Sequence, residues 1–339
     1  MSRGLTRCDA VAVLVSVLTL AMAGRAVSLL ATDESRRIVC GTILKGLGTA
    51  HTVYANDYED AYAVQGGRGL NRWAANTPGW DNPNKNWNGD DDVTVGASLY
   101  LLVREVDVNP GSFVCPASVQ RVFDGSNPNY LDFSDLWDFG SIDYRDTGPK
   151  NCVTYSYHHP YSGRFAPNGT RSASFAVMSD RNPWYDSATR AGEATSDDWS
   201  GRVAYLAPYW AIDPMEPWRI RVANAQQHKR EGQNVLFGDG HSSYVEVSDV
   251  GVKHDNIFTP QAAPQPTNEA PHRIGQMPAP FGIGYGLPIS NWDSFLVDDD
   301  EINPCTTDQP GDINGDCRVD MGDLAVLSEH WLESTRVEE

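Results

Sequence analysis

Cysteine is scarce. Six residues in 339 are too few for a disulfide-built scaffold, and none forms a CxxC pair. Basic charge is in deficit as well: Lys and Arg total 26 against 45 Asp and Glu, a net charge of -19. That balance excludes a phosphate-tracking surface, so no nucleic-acid partner is expected. Enzyme signatures are missing too, with no GxSxG elbow, HExxH helix, P-loop or GxGxxG turn, and no catalytic activity is expected. What is present is a 40% hydrophobic content, enough for a packed core.

The negative charge is uneven. Residues 298–339 hold 13 acidic residues against Arg318 and Arg336, so this tail carries -11 and the rest of the chain -8. Four segments follow: a leader and anchor over 1–31, a head over 32–259, a Pro/Gly-rich strap over 260–297 and the acidic tail over 298–339. For an exported chain the expected cysteine pairs are Cys115 with Cys152, which flank a turn-rich stretch, and Cys305 with Cys317 in the tail.

At the amino end, Arg3 and Arg7 precede an uncharged run over 10–24, and apolar character resumes after Arg25 to reach Ala31. A basic flank before an apolar run is a translocation signal. Two readings stand: a retained membrane anchor, or a secretory signal cut after Ala23, which would release a soluble calcium-binding module. Beyond Asp33, the residues Val39, Ile43, Leu47, Ala50, Tyr54, Tyr58 and Ala61 recur at gaps of three or four, predicting a helix with one packing stripe. Gly41, Gly46 and Gly48 weaken that helix by up to about 1 kcal/mol each, so packing must carry it.

In the head, SLYLLVREVDV predicts a short buried helix stopped by Pro110 and Gly111. NCVTYSYHHP and ASFAVMSDRNP predict strands, and QNVLFGDGHSSYVEV predicts a hairpin turning at Asp239-Gly240. His228, Asp239 and His241 can be assembled into a metal or general-base site, yet backbone geometry explains Asp-Gly first. His158 and His159 are adjacent, so a strand sends them to opposite sides. Asn86, Asn88 and Asp90 to Asp92 fit either an Asx-rich turn or a calcium ligand set. Trp73, Trp80 and Trp87 recur at seven-residue intervals as loop anchors or as a carbohydrate platform. With the surplus carboxylates, that platform keeps a secreted carbohydrate-active enzyme or carbohydrate-binding protein as an alternative.

The tail carries the most specific ligand spacing. In DINGDCRVDMGD, Asp312, Asn314, Asp316, Asp320 and Asp323 take positions 1, 3, 5, 9 and 12 of a calcium loop, and the Arg318 carbonyl takes position 7. Short oxygen-bearing side chains at alternating positions surround a hard cation, so Ca2+ is the expected cofactor. LAVLSEHWL would form the exit helix.

Three resemblances sit on these residues. GLTRCDAVAVLVSVLTL resembles the leader junction of bacterial type IV prepilins, with Gly4 before the cleavage point, Leu5 at the aromatic position and Asp9 at the glutamate position. HKREGQNVLFGDGH resembles the signature of prepilin-like processing-associated proteins, matched by His228, Asp239, Gly240 and His241. The calcium loop is similar to a single dockerin repeat, in which Asp closes the loop. Together these imply an α+β fold: a long amino-terminal membrane-anchor helix packed on an antiparallel sheet head, with a small EF-hand-like loop and helix at the carboxyl end. They also imply a pseudopilin-like structural or secretion-associated protein of the bacterial envelope, its head in the periplasm or exported to the cell surface. Its partners would be the envelope membrane, other pseudopilins or copies of itself through the amino-terminal helix, and a protein recognised by the tail repeat.

Overall fold

The computed structural model describes residues 33–65, 72–73, 92–118, 120–127, 129–140, 148–183, 185, 223–261, 275 and 287–299, with backbone alone at 72–73 and 92–93. A helix, α1, occupies 33–57. Two short strands, β1 (Arg72–Trp73) and β2 (Asp92–Val93), pair in parallel before α2 (Val95–Val106). A brief α3 (Pro149–Cys152) leads into β3 (Tyr155–His158) and β4 (Ala176–Asp180). The hairpin strands are β5 (Gln233–Phe237) and β6 (Ser242–Val245), and β7 (Leu296–Val297) closes the set. The fold is α+β, with five antiparallel strands in the order β6-β5-β4-β3-β7.

Both strands of the expected hairpin form, in the register Asn234 to Tyr244 and Leu236 to Ser242. Gly240 takes a φ of 83° in the turn, a conformation glycine reaches without Cβ strain. All residues of β3, β4 and β5 are buried, so both faces of the central strands are covered. Residues on opposite sides of β5 therefore do not separate core from solvent. They separate two buried faces, one of which meets α1.

Of the stripe expected at Val39, Ile43, Leu47, Ala50, Tyr54, Tyr58 and Ala61, Leu47, Ala50 and Tyr54 are buried and Ile43 packs against the core, but Val39 and Tyr58 are exposed. The buried face is turned by about one residue and carries Cys40, Leu44, Leu47, His51, Tyr54 and Ala55. Glycine decides the rotation. A Cβ on Gly41 would stand 2.9 Å from Asn234 Oδ1, and one on Gly48 would stand 2.7 Å from Leu236 Cδ1. Seven residues are two helical turns, and Asn234 and Leu236 share one side of β5, so two side-chain-free positions bring the helix down along that strand. The closer approach seats Leu44 and Leu47, each worth roughly 1.5–3 kcal/mol when buried.

Helix α2 is capped by Thr94, whose side chain accepts from the Ala97 N–H, and it ends at left-handed Asp107, three residues before Pro110. Nine of its residues, Val95 to Val103, are buried, as the apolar run predicts. Tyr100 packs edge-on against Phe139, which packs on Phe113.

The disulfide of the head corrects the pairing expected from sequence. Cys115 bonds to Cys40 of α1, and Cys152 is a buried free thiol. Cys152 belongs to α3, whereas helix packing carries Cys40 to a Cα separation of 5.4 Å from Cys115, within the spacing a disulfide requires. The bridge closes 75 residues and staples α1 to the head, a constraint worth about 4 kcal/mol in a chain-entropy account.

The end of the predicted strap, with the first residues of the predicted tail, is built into the head. β7 pairs with β3, Asp298 forms an ion pair with Arg181, and Asp299 accepts from the Val95 and Gly96 N–H groups at the start of α2. Residues 1–32, including Gly4, Leu5 and Asp9, and the calcium loop over 312–323 with Cys305 and Cys317 lie outside the described residues. Among the described residues no helix is long and apolar enough to cross a membrane.

Candidate functional site

β4 ends in Ser179 and Asp180 and is followed by Arg181 and Asn182, all buried, and this polar run stitches the head together. The Asn182 amide donates to the Phe258 and Leu296 carbonyls, and Arg181 donates to the Lys150 carbonyl. Asp180 points its chemistry the other way, toward α1. Its Oδ2 accepts from the backbone N–H of Asn234 at 2.6 Å and from the side-chain amide at 3.1 Å. His228 Nε2 lies 3.2 Å from the same oxygen, 3.2 Å from Asn234 Nδ2 and 3.8 Å from Cys115 Sγ.

A buried constellation thus forms where α1, the Cys115 turn, β4 and the turn before β5 converge. Cys40, Cys115, Asp180 and His228 each offer a ligand atom, and these atoms all lie within 4.8 Å of one another. Asp180 Oδ1 is buried and has no hydrogen-bond partner among the described residues. An unsatisfied carboxylate oxygen at full burial is costly, which marks this corner as unspent polar chemistry in the described head. Around it, the His228 ring meets Tyr244 edge-on, Arg37 stacks over Tyr244, and Arg37 pairs with Glu231.

Outside this corner lies a groove of about 580 Å³ between α1 and the β5–β6 hairpin, bordered by Asp33, Arg37, Ile38, Lys45, Lys229 and Tyr244. The lining mixes both charges, and Lys229 pairs with Asp33 across it. A cavity of about 10 Å³, near the room one water needs, touches His228 from the Asp33 side.

The signature residues part company. His228 enters the buried cluster, while Asp239 and His241 stand exposed at the far end of β5, paired with each other. Asp239 is held below the usual carboxylate range by the His241 backbone N–H and ring. The structure does not bring His228, Asp239 and His241 into one metal or general-base site; a five-residue strand separates them. His158 and His159 are both buried: His158 Nε2 meets the Phe165 carbonyl, and His159 stacks on Phe295. Burial pushes His159 down to about 3.

Carboxyl groups gather at two other buried places. Burial, then the neighbouring Asp299 charge, pushes Asp138 up to about 8, and the Thr94 hydroxyl and Phe139 N–H both donate to it. Asp293, raised to about 7 by burial, accepts from the Gln261 and Ile289 N–H groups, and its charge adds to the burial that raises Asp255. Both places tie distant segments of the head to each other. Trp80, Trp87 and the Asn/Asp cluster from Asn86 to Asp91 lie outside the described residues, and Trp73 is described only as backbone of β1.

Sequence reasoning missed Cys40, Asp180 and Asn234 as members of one cluster. A signal existed: Ser-Asp-Arg-Asn directly after the apolar run over 175–178 is four polar residues where a strand should leave the core, and buried polar groups need partners. No family model, curated protein or solved structure matches this chain.

Proposed function

We propose that the chain is an envelope-anchored, pseudopilin-like structural protein, its head carried on α1 and its acidic tail forming a calcium-stabilised interaction element. The observation that carries this reading is the seam of α1. A helix already formed at residue 33, two positions past the apolar stretch that ends at Ala31, is seated through Gly41 and Gly48 and bonded to the head through Cys40. Such an attachment transmits force and position from an anchor to a head, which a simple signal peptide would not require.

The outward side of α1 supports the same reading. Ile38 is 64% exposed and Val53 46% exposed, so the helix keeps apolar residues for neighbours after its inner face is spent on the sheet. Asp9, by resemblance the acidic position of the anchor, would pair with the amino terminus of an adjacent subunit. In the tail, four carboxylates from Asp312, Asp316, Asp320 and Asp323 repel one another until a divalent ion joins them.

Fractionation of producing cells tests the anchor, with the mature amino terminus read from the recovered protein. The chain should sediment with membranes and begin at Leu5 or earlier. Recovery from the soluble fraction with a terminus at Gly24 would overturn the reading.

A further inference from the structure

We infer that the Cys40–Cys115 disulfide is one of two closures of the same buried cluster, and that reduction converts Cys40, Cys115, Asp180 and His228 into a tetrahedral site for zinc or a similar divalent ion. This inference does not depend on the proposed anchoring role. It rests on ligand geometry. With zinc bonds of about 2.3 Å to sulfur and about 2.0–2.1 Å to nitrogen or oxygen, tetrahedral ligand atoms stand about 3.6 Å apart for sulfur with nitrogen and about 3.3 Å for nitrogen with oxygen. Cys115 Sγ and His228 Nε2 are 3.8 Å apart, and His228 Nε2 and Asp180 Oδ2 are 3.2 Å apart. The two sulfurs must separate, because a covalent bond now holds them closer than two thiolates on one metal would sit.

The donor set selects the ion. Two sulfurs and an imidazole favour zinc-like metals over calcium or magnesium, which take oxygen. All four groups are buried, as a closed structural site requires, and they come from four separate parts of the chain. The Asn234 side-chain amide now reaches Asp180 Oδ2 and His228 Nε2, the atoms the ion would take, so it holds them together in the oxidised state and turns aside when the ion enters. Asp180 Oδ1 has its accepting capacity unused among the described residues. The small cavity at His228 provides an approach from the Asp33 side.

The conversion balances with a dithiol reductant. Two electrons and two protons pass from the dithiol to the Cys40–Cys115 bond, the reductant becomes a disulfide, and two cysteine thiols result. Binding of the metal ion then releases the two thiol protons to solvent while His228 binds through a nitrogen lone pair. Oxidised, α1 is held by a covalent bond. Reduced, it is held by the ion, so the helix stays seated in either redox state.

Cobalt serves as the spectroscopic probe. In the full chain with Cys8, Cys152, Cys305 and Cys317 replaced by Ser or Ala, dithiol treatment followed by anaerobic removal of the reductant leaves only Cys40 and Cys115 as thiols. One equivalent of cobalt should then produce a sulfur-to-metal charge-transfer band that zinc displaces and that the oxidised protein lacks. His228→Gln, which removes a ligand, should weaken cobalt by more than about tenfold and alter the spectrum. Because these variants can fail to fold, a second measurement uses the unaltered chain: zinc, but not calcium, should protect Cys40 and Cys115 from alkylation after reduction. A reduced chain with no charge-transfer band, a folded His228→Gln protein with the parent spectrum and affinity, or alkylation indifferent to zinc would overturn the inference.

Discussion

Asp138 and His51 show how single buried groups give the head opposite responses to pH. Burial, with the nearby Asp299 charge, raises Asp138 to about 8, above its unfolded value near 3.9. Its contribution is therefore complete below about pH 4 and is lost as pH climbs through about 8. His51 stacks on Tyr157 and meets Tyr62 at a tilt, and burial lowers it to about 3. Its contribution is present above about pH 6.5 and is lost as pH falls toward 3. Asp138→Asn, which imitates the protonated acid, should flatten the decline in stability between about pH 6.5 and 8. His51→Phe, which keeps the stack, should flatten the decline on the acid side. Urea unfolding across this range reads both, and a parent-like alkaline slope in Asp138→Asn would assign that limb to other groups. The fully buried Asp138 was invisible beforehand, because no local pattern tells a buried aspartate from the many exposed ones in a chain this acidic.

At the scale of elements, α1 carries two glycines that look alike in sequence and do opposite work. Gly46 faces solvent, and a Cβ there would meet nothing within 4 Å. Gly46→Ala should stabilise the protein by up to about 1 kcal/mol through helix propensity alone. Gly48→Ala gains the same propensity but drives a methyl into Leu236, which is buried and has little room to turn away. Overpacking of this kind costs about 1–3 kcal/mol, so the net change should be destabilising. Thermal unfolding of the two variants side by side decides the matter, and an equal gain at both positions would mean that the seam is not closely packed. The helix, the hairpin and strands β3 and β4 were legible from periodicity and turn residues. The rotation of α1 by about one residue was not, because Val39 and Tyr58 flank the shared Leu47, Ala50 and Tyr54 at helical spacing as well as Cys40, Leu44 and His51 do.

Across the whole molecule, the acidic residues divide between two roles. Asp298 and Asp299 open the acidic tail in sequence but are buried in the head, where they hold Arg181, Ser156 and the start of α2. The acids beyond them, from Asp312 to Asp323, keep the spacing of a calcium loop. Calcium should therefore alter the tail without shifting the unfolding of the head. In the full chain, Asp312→Ala should weaken calcium by more than about tenfold, through loss of a charged ligand, and leave the thermal midpoint of the head in place. Calorimetric calcium titration paired with thermal unfolding checks both parts, and unchanged affinity in the variant would remove the loop from consideration.

Local chemistry by itself determined the elements of this protein: a glycine-bearing helix after Asp33, a buried helix ended near Asp107, two apolar strands and a hairpin turning at Asp239-Gly240. Each follows from residues within one or two turns of one another, where periodicity and φ preferences act. Only the tertiary structure decided that Cys115 meets Cys40 across 75 residues, that Ser156 meets Asp298 across 142, and that His228 leaves Asp239 to join Asp180. Those partners are chosen by which faces pack. The packing here turns on two absent side chains, at Gly41 and Gly48, whose importance appears only when the strand beneath them is in place.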